Sequence, residues 1–327
     1  MDKVAVNTTA LGLIADIGGT NARFALARPE GDIAAVRLYA VADYPTLADA
    51  LDHYLAETQA GGRPERGVLA VASPVTGDRV TMTNHAWTFS TETLRQHLKL
   101  KGLRIINDFV ACALAVPHLG AGDVLQVGQG SKAADAPAGL LGPGTGLGVS
   151  ALIPAPSGAV PVGGEGGHVT MAPATARESD VLELMRKRYD HVSAERVLSG
   201  AGLLNLYGAL CELAGAPAAS FTPAQITSPL IWDEDPRARE ATDMFCAMLG
   251  TVAGNLALTL GARGGIYIGG GIVPRIGRYL LQSEFRNRFE AKGRMRGYLA
   301  AIPTFVISRP LPALLGAAAL LRQPQQD

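Results

Sequence analysis

The sequence predicts an α/β protein of two lobes, on three observations. At 327 residues and 48% hydrophobic content the chain is long enough for two domains with separate cores. Short apolar runs of strand character alternate with Ala- and Leu-rich segments at helical spacing. One design also occurs twice, at 13–26 and again at 140–153: an apolar strand, a glycine-rich turn carrying a threonine, and a second apolar strand. A shift to Gly, Ala and Asp across 120–138 marks an exposed connection, which puts the lobe boundary near Pro117.

The first hairpin, LIADIGGTNARFAL, organises the rest. Its paired glycines let consecutive N–H groups converge on an anion, so Gly18, Gly19, Thr20 and Asn21 form a candidate phosphate turn. Asp16, at the mouth of that turn, would repel phosphate oxygens but suits a Mg²⁺ held through water. The same residues also satisfy an ordinary tight hairpin. Asp32–Ala42 continues a β pattern, and Leu47–Gln59 has helical spacing with Thr46 as its N-cap. Gly67–Val75 is a buried strand that ends at Pro74, on a possible ligand rim. Within Val80–Ser90, Thr83, Asn84 and His85 interrupt a strand pattern, and they either face a ligand or form a solvated loop.

In LRIINDFVACALAV, Leu103–Val116, the period changes from strand to helix at Asn107-Asp108. Asp108 is either a helix cap or a general base, since a carboxylate with a reference pKa of ~4 is ionised at neutral pH and accepts a hydroxyl proton. The second hairpin, Leu140–Ile153, is neither a dinucleotide fingerprint, because Leu147 stands where the last glycine belongs, nor a P-loop, because GK[ST] is missing. Two such turns, the second with Gly144 and Thr145, would clamp a polyphosphate from both sides. In Pro161–Pro173, Glu165 and His168 lie among four glycines. They suit sugar hydroxyls better than zinc, for which a third clear ligand is lacking nearby. Glu195 follows a Ser193 N-cap, where an acid also suits the helix dipole.

Pro223–Ala241 reads as a polar surface segment, with Asp233, Glu234 and Asp235 as a solvated turn, and long helices resume at Ala241–Leu260. Ile266–Ile268 is a strand opening into Gly269, Gly270 and Gly271, which leave room for a flat ring or an α-phosphate. Phe285–Tyr298 reads as basic and amphipathic, Thr304–Ser308 as a strand, and a last helix from Pro312 packs back on the first lobe before a fraying tail, QPQQD.

Composition narrows the function classes. Lys+Arg and Asp+Glu are equal at 29 each, so there is no basic field for nucleic acid or an anionic membrane. No uninterrupted apolar run approaches the ~20 residues of a spanning helix, and no signal peptide is recognisable. Cys112, Cys211 and Cys246 lack CxxC spacing and read as buried thiols of a reducing compartment. A cytoplasmic protein is expected.

Taken together, these segments resemble the bacterial glucokinases of the hexokinase, actin and sugar-kinase superfamily, nearly end to end. DIGGTNARFAL resembles the family's first phosphate motif and GPGTGLGVSAL its second. INDFVACALAV resembles the segment with the catalytic aspartate, GGEGGHVTMAP and HVSAERVLSGAGLLNLY the sugar-binding segments, and YIGGGI the adenosine motif. The resemblance implies a two-lobed actin-like ATPase (ribonuclease H-like) fold with an interlobe active-site cleft. The small lobe would be 1–117, joined by the C-terminal helix 312–327, and the large lobe 118–311.

It also implies an ATP-dependent glucokinase, homodimeric and using Mg²⁺. Asp108 would take the proton of the sugar 6-hydroxyl, and Asn107, Glu165, His168 and Glu195 would hold the other hydroxyls. Thr83 and Asn84 match a sugar-facing segment. Asp16, Gly18, Gly19, Thr20 and Asn21, with Gly144 and Thr145, would hold the MgATP phosphates, and Gly269, Gly270 and Gly271 the nucleoside. The cysteine-rich zinc motif of the related repressor and open-reading-frame kinase group is missing, which implies the zinc-free branch. Alternatives are a kinase for mannose, fructose or an N-acetylhexosamine, a non-catalytic sugar sensor, and an actin-like ATPase. A sensor would need a DNA-binding appendage, for which a first strand beginning at Leu11 is expected to leave no space. An ATPase would not need Glu165, His168 and Glu195.

Overall fold

The computed structural model describes residues 12–28, 32–58, 64–156 and 158–323. The expectations for Leu11, Gln59 and most of the tail lie outside the described residues. The chain divides into two compact units, one running to Leu119 and joined by the segment from Arg309 on, the other Gly120–Ser308.

The first unit is built on a five-stranded sheet. Its strands are β1 (Gly12–Ile17), β2 (Asn21–Ala27), β3 (Ile33–Ala40), β4 (Arg66–Val71) and β7 (Gly102–Asn107), in the order β3-β2-β1-β4-β7. A short hairpin, β5 (Arg79–Thr81) with β6 (Thr88–Ser90), stands apart from it. β1, β2 and β3 form an antiparallel meander, while β1, β4 and β7 run parallel. A strand in the middle of a covered sheet is apolar on both faces, and Leu13, Ile14, Ala15 and Ile17 are all buried. Helix α1 (Leu47–Thr58) is capped by Thr46, whose Oγ1 accepts from the Asp49 amide at 3.2 Å. Helix α2 (Thr91–His97) is capped by Ser90, and α3 (Asp108–Ala115) follows β7 directly. The last helix, Pro312–Arg322, packs along α3 over a small core of Ala70, Ala111 and Ala313.

The second unit repeats the plan. Its sheet holds β8 (Val124–Val127), β9 (Ala138–Pro143), β10 (Leu147–Ile153), β11 (Val160–Gly164), β12 (Gly265–Ile268) and β13 (Thr304–Ile307), in the order β11-β10-β9-β12-β13-β8. Again an antiparallel meander, β9-β10-β11, is extended by parallel strands, β9-β12-β13. Helices α4 (Ala176–Arg186) and α5 (Gly200–Leu213), with the long helix Pro236–Leu260, supply most of the core. That long helix is apolar and long enough to cross a membrane by length and composition, beyond the apolar run expected from the sequence. Phe245, Cys246, Met248, Leu249 and Ala253 on it are fully buried in this unit's core.

Three local expectations are corrected. The connection after Pro117 contains β8, which pairs with β13 as an edge strand; four residues of mixed polarity gain strand geometry only from that partner. Asp235 is not solvated but buried. It caps helix Pro236–Leu260 and accepts the Tyr207 hydroxyl at 2.6 Å. In the basic segment after Phe285, Arg286 and Arg288 turn inward onto backbone carbonyls and Glu178. Cys211 and Cys246 are buried, whereas Cys112 is half-buried as a residue with its thiol covered.

Candidate active site

In the first unit three parallel strands end level, because the register pairs Ile17 with Val71 and Val71 with Asn107. The residues that follow them, Gly18, Ser73 and Asp108, therefore emerge along one edge of the sheet, where α/β folds place ligands. The Gly18–Thr20 turn is closed by the Gly18 amide on the Asn21 carbonyl at 2.9 Å, and Asn21 itself begins β2. A Cβ on Gly19 would stand 2.8 Å from the Asn84 Cβ, so the missing side chain lets the Thr83–Asn84 turn seat against the phosphate turn. His85 serves that turn structurally: its Nδ1 accepts from the Trp87 amide at 3.2 Å.

Asn107, not Asp108, is the N-cap of α3. Its Oδ1 accepts from the amides of Phe109 at 2.9 Å and Val110 at 3.3 Å. Asp108 is thereby released from the capping position; its carboxylate accepts from the Phe109 amide, with Oδ1 at 2.9 Å, and from the Asn107 side chain. Burial and the neighbouring Asp16 charge push its carboxyl up to about 7. Burial likewise raises Asp16, opposed by Arg23. The hairpin register sets Arg23 directly across from Asp16, with Nη1 to Oδ2 at 3.3 Å. Burial outweighs that pairing, and a hard carboxylate oxygen beside the glycine turn fits Mg²⁺, which is held through one or two carboxylates and keeps its waters. The Cys112 thiol, one turn beyond Asp108, is held well above its ordinary range by burial and by both carboxylates.

Ser73 escaped the sequence reading. Its buried hydroxyl accepts from the Thr83 amide at 2.8 Å, and its carbonyl receives the Asn107 Nδ2 at 3.4 Å. The signal was a lone polar residue closing an apolar parallel strand.

The second unit carries two glycine turns side by side. Gly144–Gly146 joins β9 to β10, and the Gly200 amide at the start of α5 donates to the Gly144 carbonyl at 2.9 Å. Thr145 at its tip is exposed. Because Ile268 pairs with Leu141, the turn after β12 emerges next to it, with the Ile272 amide on the Pro143 carbonyl at 3.2 Å. Gly270 has φ +81° and a Cβ there would run into the Pro143 carbonyl, whereas Gly269 and Gly271 face little or nothing. Together these turns present bare backbone suited to a nucleotide. Gly270→Ala should therefore weaken nucleotide binding at this turn by about tenfold or more, through left-handed strain plus the clash, as read by calorimetric titration with a nucleoside triphosphate.

His168 and Glu195 come together through a different device, with Glu165 beside His168. The Gly166–His168 turn lies on β10, and the chain after it is laced to 191–195 by the Met171 amide on Val192 at 3.0 Å and the Ala194 amide on Val169 at 2.9 Å. Ser193 caps the three-residue turn that holds Glu195. The Glu195 carboxylate does not serve that turn's dipole; it reaches over Gly146, and its Oε2 accepts the Leu147 amide at 2.8 Å. His168 and Glu195 line one depression of about 450 Å³, with Tyr189, His191 and Arg196. Glu165 and His168 are exposed and 3.9 Å apart, and Glu165 stands outside that lining. Among the described residues no group of three or more His, Cys, Asp or Glu side chains is placed to hold a metal.

The glucokinase family profile matches residues 13–324. The chain is 52% identical over 314 residues to a glucokinase of Paramagnetospirillum magneticum, spanning 96% of this chain and 98% of that one. It is 51% identical over 309 residues to a glucokinase of Chromobacterium violaceum, spanning 94% and 88%. The crystal structure of a glucokinase from an Antarctic psychrotroph, 37% identical, matches with a TM-score of 0.85 over 94% of this chain and 98% of that chain. The two α/β units thus have the two-lobed, actin-like fold of the sugar kinases, and the chain belongs to the glucokinase family.

Proposed function

We propose that this chain transfers the γ-phosphoryl group of ATP to the 6-hydroxyl of glucose, with Asp108 as the general base. One observation carries the assignment of the base. Asp108 is relieved of capping by Asn107, stands at the level ends of the parallel strands beside Asp16, and titrates at about 7. A base works best when its pKa lies near the operating pH.

As the 6-hydroxyl oxygen forms its bond to the γ-phosphorus and the bond to ADP breaks, the hydroxyl proton passes to the Asp108 carboxylate. The transition state is loose, so positioning and charge stabilisation supply most of the acceleration. Asn107, Thr83, Asn84, Glu165, His168 and Glu195 hold the remaining hydroxyls and reject molecules that lack them. The backbone at Gly18, Gly19, Thr20 and Asn21, and at Gly144 and Thr145, receives the phosphates, and Gly269, Gly270 and Gly271 the nucleoside. Asp16 would hold Mg²⁺ through water; the bound ion offsets phosphate charge. In this reading the enzyme works as a homodimer in the cytoplasm, as the family resemblance implies.

The test is ADP release with MgATP across glucose, mannose, fructose, N-acetylglucosamine and a no-sugar blank, with hexose 6-phosphate measured alongside. Strong preference for glucose with equal hexose 6-phosphate is expected. Preference for another hexose would move the substrate, and sugar-independent release would replace the kinase with an ATPase.

A further inference from the structure

Ser73 has no part in the chemistry above, yet its buried group ties together three segments that do. It stands just past β4, 3% exposed. Its Oγ donates to the Ala72 carbonyl at 2.7 Å. With that single proton committed, the oxygen can only accept, and it receives the Thr83 amide at 2.8 Å and the Thr83 hydroxyl at 3.2 Å. The Ser73 carbonyl receives Asn107 Nδ2 at 3.4 Å.

One polarity follows. The Thr83 proton points inward at Ser73, so an exposed Thr83 offers outward only the lone pairs of Oγ1. Asn107 has its Oδ1 filled by the amides of Phe109 and Val110, and its amide nitrogen is engaged by the Ser73 carbonyl and by the Asp108 carboxylate, so its orientation is fixed. We propose that Ser73 is a positioning residue that sets the hydrogen-bond polarity of this edge, making Thr83 an acceptor toward a hydroxyl of the sugar.

The proposal rests on the glucose-kinase reading and deepens it. A substrate position facing Thr83 must carry a donor, so fluorine there fails as badly as hydrogen.

The experiment compares wild type, Ser73→Ala, Thr83→Val and the double variant on glucose and on its 2-, 3- and 4-deoxy and deoxyfluoro analogues, with the melting temperature of each protein. Thr83 is exposed, so Thr83→Val keeps the fold. Ser73→Ala is expected to raise the glucose KM about tenfold, with kcat and the ATP KM within about threefold of wild type. In the Thr83→Val background the same change should cost little, because both remove one linkage. Wild type should lose equally on one deoxy and deoxyfluoro pair, and Thr83→Val should abolish that loss.

A folded Ser73→Ala with the wild-type glucose KM would overturn the proposal, as would effects that simply multiply in the double variant. Should Ser73→Ala not fold, a Thr83→Val that leaves every fluoro and deoxy ratio unchanged would overturn it alone. If wild type phosphorylates no hexose, the glucose-kinase reading has failed; if it phosphorylates glucose and the variants match it, only the role of Ser73 has.

Discussion

Asp108→Asn is expected to lower glucose turnover by about 10²–10⁴-fold while leaving glucose affinity close to wild type. The substitution keeps the size and one acceptor oxygen and removes the charge and the ability to take a proton. It does not disturb the start of α3, because the cap belongs to Asn107. The check is kcat from coupled ADP detection, paired with calorimetric glucose binding. Turnover near wild type would return Asp108 to the status of an ordinary acid in a first helical turn.

The raised carboxyl gives this prediction a pH signature in activity and stability. A base must be ionised, so kcat/KM for glucose, which reports the free enzyme, should climb as pH rises through about 7 and then level off. Stability runs the other way. The folded ligand-free protein holds the Asp108 proton up to about 7, whereas the unfolded chain releases it near 3.8. Between those values the folded state binds more protons, so stability from this group falls as pH rises, by on the order of 2–4 kcal/mol once pH exceeds 7. Asp108→Asn escapes that cost. It should be more stable than wild type above pH 7, and the advantage should vanish below about pH 4 in ligand-free denaturation curves.

That gain of stability with loss of turnover separates what was readable in the sequence from what was not. The Gly18–Asn21 and Gly144–Gly146 turns were legible because strand, glycines and strand are all local. Asp108 was legible as a junction residue, but its alternatives stayed open, since a one-residue difference in where β7 ends decides whether Asn107 or Asp108 caps α3. Glu195 looked like a first-turn acid because its partner, the Leu147 amide, lies 48 positions away. Ser73 showed only as a lone polar residue for the same reason: its value comes from Thr83 and Asn107, brought to it by the register of β4 with β7 and by the turn between β5 and β6. The strand β8 and the buried Asp235 were misread as exposed polar chain, since their partners β13 and Tyr207 are distant in sequence. Local chemistry was readable, and contacts that depend on register were not.

The basic segment after Phe285 hides the other large effect: Glu178→Ala is expected to destabilise the second unit by about 3–5 kcal/mol. Glu178 is 3% exposed and takes both arms of Arg288, at 2.7 and 3.1 Å, together with the Ala174 amide at 2.7 Å. Arg288 also donates to the Thr251 hydroxyl, and Lys292 reaches the Thr251 carbonyl and Asn255. Removing the one carboxylate leaves two cations facing each other in a poorly solvated site, and Lys292 is already held below its ordinary range by burial and by Arg288. The chain has two tryptophans, Trp87 in the first unit and Trp232 in the second. In a Trp87→Phe background, the urea midpoint of Trp232 fluorescence reads the second unit, and it should drop sharply in Glu178→Ala. A Glu178→Met, Arg288→Met double variant should recover most of the loss, because an apolar pair leaves no buried charge unpaired. The unfolded chain keeps the Lys292 proton to higher pH than the folded one, so the deficit of Glu178→Ala should shrink as pH rises toward 10.5. A deficit that is flat with pH would mean that lost packing, and not the exposed pair of cations, sets the cost.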